Sequence, residues 1–239
     1  MLAEIAPEEL ASAVDRVAAN ALAVAGIGRP PIDAIRVAQQ LGLAVAWDDQ
    51  QAGRARLVMG RQTAAILMRH DPRAEREQWA VAHELGEALA KEVFSKLDVD
   101  PRTAPRHARE MVANAIASAI LLPREFFATD GAALSWDLLA LKEQYRTASH
   151  ELIARRMLDV SPPICISVYD QDRLTWRTSN VSGRRPPPSE LELNARRRAH
   201  ESGEAVIEFG PPKTQAWPIH EQVWQREIVR VEIDEFVGQ

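Results

Sequence analysis

The chain has 239 residues, one cysteine, six histidines and a formal charge of −5. Its length is enough to bury a core without disulfides, and 46% hydrophobic with 26% charged residues excludes a disordered chain. One cysteine excludes a disulfide scaffold, a zinc ribbon and a paired-thiol redox motif, so a transition-metal site must use His and carboxylates; the acidic balance argues against coating nucleic acid by bulk charge.

In chain order, Pro7-Glu8-Glu9 opens an amphipathic helix that runs to Gly26-Ile27-Gly28. Glu4, Glu8, Glu9, Asp15 and Arg16 interrupt this segment, so it reads as neither a signal peptide nor a membrane span, and the expected location is cytoplasmic. Pro31 opens a second, short helix ended by Gly42. Leu43 to Trp47, Arg54 to Met59 and Thr63 to Met68 read as three short strands, with turns at Asp48-Asp49 and Gly60-Arg61-Gln62, in an antiparallel meander. Asp71-Pro72 starts a long helix expected to reach about Lys91. A helix from Pro105 to Leu122 follows, then two shorter ones, Ser135 to Gln144 and Thr147 to Leu158, around Tyr145-Arg146-Thr147. Beyond Pro162-Pro163 the pattern turns to strands, at Ile164 to Tyr169, Leu174 to Arg177, Ala205 to Phe209 and Glu227 to Phe236, with a charged helix at Glu190 to Glu201. Gly183 to Ser189, with Arg184-Arg185 and three prolines, reads as a surface linker.

The chemistry lies in the long helix, at His83-Glu84-Leu85-Gly86-Glu87. Residues four apart share a helical face, so His83 and Glu87 can point at one spot with Glu84 beside it. In the zinc-peptidase helix, positions one and five bind metal and position two activates water. Position five is usually His; Glu87 is an acceptable alternative, because a carboxylate binds zinc at about 2.0–2.2 Å. The next helix carries Glu110 and Asn114, again four apart, as a third ligand and a hydrogen-bonding support. His107 is a reserve ligand, and the remaining histidines have no ligand spacing with one another.

Arg76 to Gly86 (REQWAVAHELG) resembles the active-site helix of ImmA/IrrE-type metallopeptidases. Glu110 to Pro123 (EMVANAIASAILLP) is similar to that family's second signature, and Pro31-Ile32-Asp33 through Gly42-Leu43-Ala44-Val45 to its helix-plus-strand entry. The resemblance covers roughly residues 30–160. It implies an α+β, zincin-like core (a short antiparallel sheet plus active-site helices) in a peptidase domain at 1–160, with a helix-turn-helix-like appendage at about 134–160. The strand pattern itself makes residues 161–239 a small C-terminal α+β region that contains a sheet.

The resemblance further implies a zinc-dependent hydrolase that cleaves a regulatory protein such as a repressor, often in stress responses. Metal ligands are then His83, Glu87 and Glu110, the catalytic carboxylate is Glu84, and Asn114 supports a ligand. Family members carry His where this chain has Glu87. Two carboxylates lower the Lewis acidity of the ion and soften the preference for zinc toward manganese. If the third ligand were instead the residue two before Asn114, this chain would offer Val112. The alternative function is a degenerate peptidase fold that binds a regulatory protein partner without cleaving it. DNA binding through Arg155 and Arg156 is the less favoured reading, and Arg196-Arg197-Arg198 reads as solvated surface.

Overall fold

A computed structural model describes residues 5–60, 64–181 and 186–233. Gly183, Arg184 and Arg185 of the linker, the turn residues Arg61 and Gln62, and the end of the last strand lie outside the described residues. The chain divides into two compact units, Met1–Phe127 with Gln144–Ser149, and Ala128–Glu143 with His150–Gln239.

In the first unit, α1 (Pro7–Val24) buries Val14, Val17, Ala21 and Leu22, the stripe that its apolar spacing predicts. The second helix, α2 (Ala34–Gln40), starts three residues later than Pro31 because Asp33 caps it. The Asp33 carboxylate accepts from the backbone N–H groups of Ile35 and Arg36. Gly42 follows at φ +82°, a left-handed turn into the sheet.

The strands β1 (Ala44–Trp47), β2 (Ala55–Met59) and β3 (Ala64–Met68) form a three-stranded sheet in the order β1-β3-β2. The antiparallel meander is therefore corrected: β1 pairs with β3 in parallel, and only β2–β3 is antiparallel. The physical reason is burial. Ile66 and Met68 of β3 are fully buried, which favours the centre, whereas β1 and β2 are largely exposed and take the edges.

The long helix α3 (Ala74–Lys96) begins three residues after Asp71, whose carboxylate instead accepts from the Arg73 N–H before the helix starts. It also runs one turn past Lys91. Against it packs α4 (Arg106–Leu121), the most extensive helix–helix contact in the protein. Both helices bury small residues, Ala82, Gly86 and Ala90 on α3 and Ala113 and Ala117 on α4, and Gly86 meets Ala113 at the crossing. A Cβ on Gly86 would stand 2.2 Å from the Ala113 carbonyl oxygen. Only glycine permits this approach.

In the second unit, α5 (Arg124–Ala133), a helix that the sequence reading left out, crosses from the first unit, and α6 (Leu138–Gln144) and α7 (His150–Val160) follow. Five strands, β4 (Ile164–Asp170), β5 (Arg173–Ser179), β6 (Val206–Glu208), β7 (Thr214–Glu221) and β8 (Trp224–Glu232), form an antiparallel sheet in the order β5-β4-β8-β7-β6. Strand β7 was also missed: its Pro218 breaks the strand pattern, but the residue sits near the end of a hairpin. The helix α8 (Glu190–Ser202) opens on a full capping box, Ser189 with Glu192, and closes on left-handed Gly203. Ala195 and Ala199 of α8 pack on Tyr169, Ala216 and Val229. With α7 against β4 as well, β4 is buried nearly throughout.

Several arginines of this unit are engaged within it. Arg155 pairs with Glu151 and stacks 4.1 Å over Trp176, and the buried Arg156 reaches Asp159 at 2.9 Å. Arg196 is not solvated surface: it pairs with Asp172 at 2.9 Å and lies over the Tyr169 ring.

Gly86→Ala tests the helix crossing. Overpacking costs about 1–3 kcal/mol, against about 1 kcal/mol of helix propensity gained. The expected result is a net loss of stability in urea unfolding, because the blocking atoms are backbone and cannot rotate away; unchanged or raised stability would contradict the crossing.

Candidate metal centre

The α3–α4 crossing sets the site. One turn before Gly86, His83 faces α4, and its Nδ1 lies 3.0 Å from the Asn114 Oδ1. Because that oxygen only accepts, Nδ1 carries the ring proton and Nε2 keeps its lone pair. His83 Nε2 lies 3.5 Å from Glu110 Oε1. One ligand atom each from His83, Glu87 and Glu110 fall within 4.8 Å of one another. Ligand atoms around a tetrahedral zinc ion stand about 3.3 Å apart, so the donor set suits such an ion after small side-chain adjustments.

The charge of the group points the same way. Glu87 is exposed and the Glu110 side chain half-exposed, while His83 is mostly covered. Two carboxylates whose oxygens lie within 4.8 Å of each other repel, less strongly where water screens them. A divalent cation between them reverses the sign of that interaction.

Glu84 is placed differently from Glu87 although it neighbours His83 in sequence. Its Oε2 accepts from the Leu57 N–H of the edge strand β2 at 2.6 Å, which fixes the carboxylate beside the His83 group. Burial pushes the Glu84 carboxyl above the usual carboxylate range; the Leu57 N–H and His83 pull it down, and the negative charges of Glu87 and Glu110 push it up again. The net direction is up.

The structure brings together every residue singled out in the motif: His83, Glu87 and Glu110 in one group, with Asn114 on the far ring nitrogen and Glu84 alongside. Val112 is fully buried in the core, so the helical face that meets His83 is that of Glu110 and Asn114. His107 is not part of the group. The sequence reading missed a second group, His200, His220 and Glu227, because it found no ligand spacing among these histidines. The signal that would have revealed part of it is the β7–β8 hairpin, which sets His220 and Glu227 on the same face of neighbouring strands.

Residues 38–158 match the family described as the IrrE N-terminal-like domain. That span covers both signature helices and half of the chain. The chain belongs to this family. No curated protein sequence matches it. In fold, it is similar to a Mycobacterium tuberculosis transcriptional regulator at 16% identity, with a TM-score of 0.65, over 92% of this chain and 75% of the other. The IrrE N-terminal-like domain is a zinc-peptidase family in general, and its zincin-like α+β core is the one described above. Where the sequence resemblance expects a second histidine, this chain carries Glu87. Among the described residues, no single helix is long and apolar enough to cross a membrane.

The tautomer of His83 can be read directly. In long-range ¹H–¹⁵N spectra of the metal-free protein at mildly alkaline pH, His83 is expected to show a protonated Nδ1 and a bare Nε2. Asn114→Ala should remove that preference. A wild-type His83 protonated on Nε2 would contradict the orientation described.

Proposed function

We propose that this protein is a metal-dependent endopeptidase acting on an intracellular regulatory protein such as a repressor. The observation that carries the reading is the convergence of His83, Glu87 and Glu110 with Glu84 fixed beside them. His83 offers the Nε2 lone pair, and Glu87 and Glu110 each offer one carboxylate oxygen, as the ligands of a zinc ion. Zinc bound there supplies Lewis acidity toward the scissile carbonyl and the attacking water.

The remaining steps belong to the protein. Asn114 holds the His83 ring in its ligating tautomer through Nδ1–H, the support that keeps a metal ligand in register. Glu84 takes the proton from the attacking water and delivers it to the departing amine as the peptide bond breaks. Its raised proton affinity suits this task, because a carboxylate that holds a proton more readily is a better base toward the attacking water. The Leu57 N–H occupies one oxygen of Glu84 and leaves the other for water.

Glu87 favours a second reading, a peptidase fold that binds a regulatory partner without cleaving it. A carboxylate in place of imidazole adds negative charge to the ion and weakens its pull on water and carbonyl. The structural neighbour is a transcriptional regulator, which fits either a regulatory protease or a regulatory binder. Manganese is the alternative ion that such a carboxylate-rich set would take.

Cleavage of a proteome-derived peptide library, read by mass spectrometry, separates the two. The peptidase reading predicts zinc-dependent cuts by the wild type, abolished by chelation and lowered at least about 100-fold in Glu84→Gln, with zinc content retained. Glu110→Ala should lose both zinc and cleavage. Equal cutting by Glu84→Gln would overturn the role of Glu84, and a zinc-loaded wild type that cuts nothing would favour the binding module.

A further inference from the structure

The C-terminal unit holds a second convergence of ligating side chains, outside the family's own site. His200 lies in the last turn of α8, His220 near the end of β7, and Glu227 on β8. His200 Nδ1 and His220 Nε2 each lie 2.8 Å from the same atom, Glu227 Oε1. The two rings meet edge to face with centroids 5.3 Å apart. All three ligand atoms fall within 4.8 Å of one another.

Elementary chemistry makes this an unusual use of a buried carboxylate. Glu227 is fully buried, and an ionised carboxylate in that position needs compensating partners. Its Oε2 has Arg196 Nη1 at 3.4 Å. Among the described residues, its Oε1 faces the two imidazole nitrogens, each at 2.8 Å, so that two ring N–H donors would share one oxygen. Two imidazole nitrogens and one carboxylate oxygen on three different elements form the ligand set of many mononuclear zinc and ferrous centres.

The site is open on one side. The side chains of His200 and His220 are each about a quarter exposed, while Glu227 is sealed below them. An ion entering from solvent would meet the imidazoles first and the carboxylate behind them, with coordination positions left on the solvent side. Each ring would then carry its proton on its other nitrogen, so binding needs a change of tautomer and no loss of charge balance within the rings. Arg196 remains on Oε2 and leaves Oε1 for the ion; its second partner, Asp172 at 2.9 Å, draws part of its charge away from the site.

We infer that His200, His220 and Glu227 form a second binding site for a divalent transition-metal ion of the zinc or ferrous class, tying the C-terminal end of α8 to the β7–β8 hairpin. The local fold is built to hold such a clamp. Ala195 and Ala199 of α8 sit on Ala216 and Val229 of the same two strands, so the helix end and the hairpin already lie in register before any ion binds. Preorganisation of this kind reduces the ordering cost of binding. The site does not depend on the proposed peptidase function.

The test uses the full chain stripped of metal and carrying His83→Ala, which removes the first site, with Co²⁺ as the probe. This protein is expected to bind about one equivalent of Co²⁺, with visible absorption bands of a low-symmetry nitrogen and oxygen site. Zn²⁺ should raise its unfolding temperature. Adding His200→Asn or His220→Gln should weaken binding at least about tenfold. These amides keep a donor near Nδ1 and Nε2, respectively, so the hydrogen bonds to Glu227 and the fold can survive. Circular dichroism and the metal-free unfolding temperature report whether they do. If either amide variant fails to fold, the metal-bound site is read in His83→Ala itself, by loss of the His200 and His220 imidazole resonances with paramagnetic Co²⁺. No Co²⁺ bound by His83→Ala, or binding that leaves those two imidazoles unperturbed, would overturn the inference.

Discussion

The geometry of the candidate site depends on one close contact, Gly86 of α3 against the backbone of Ala113 on α4. Any side chain at Gly86 would meet the Ala113 carbonyl oxygen at 2.2 Å, so the two helices can approach this far only at a glycine. His83 stands one turn before that contact, and Glu87 is the next residue after it. Asn114 adjoins Ala113, and Glu110 lies one turn earlier on the same face. The distances of 3.0 Å from His83 Nδ1 to Asn114 and 3.5 Å from His83 Nε2 to Glu110 follow from this crossing. Helices held a few ångströms further apart by larger residues would leave each pair out of reach. The packing of small residues thus does for the site what a ligand loop does in other metal centres: it sets the separation of the donors before any ion arrives.

The same region was the most legible part of the sequence, and the reason is local. Helical periodicity puts His83 and Glu87 on one face and Glu110 and Asn114 on another, using only spacings of four residues. The choice of Glu110 over Val112 was also a question of helical face, and the burial of Val112 agrees with it. What spacing could not give was the parallel pairing of β1 with β3, because strand order depends on which strand buries its side chains, and each short strand reads alike by itself. Helix starts were misplaced at Pro31 and Asp71 for a related reason. Pro and Asp mark the neighbourhood of a helix start, but the side chain that actually caps the backbone decides the first residue.

The C-terminal unit was less legible because its chemistry is non-local. His200 and Glu227 are far apart in sequence, and His220 and Glu227 approach only through a hairpin whose first strand contains a proline. Charge runs misled in the same way. Arg196 belongs to a run of three arginines that looks solvated, yet it bridges Asp172 and Glu227 and covers an aromatic ring. The two ligand groups also differ in charge logic. The first gathers two partly exposed carboxylates that repel each other; the second gathers two imidazoles over one sealed carboxylate. A cation would relieve the repulsion in the first and would take the place of two ring donors on one carboxylate oxygen in the second.

The α3–α4 crossing brings His83, Glu87 and Glu110 to one point, which we propose holds a metal ion. Crystals of the full chain grown with zinc, with anomalous diffraction collected on both sides of the zinc absorption edge, test it most directly. A peak is expected about 2.0–2.2 Å from His83 Nε2 and from one carboxylate oxygen each of Glu87 and Glu110. A zinc-saturated crystal with no anomalous peak at these three residues would contradict it.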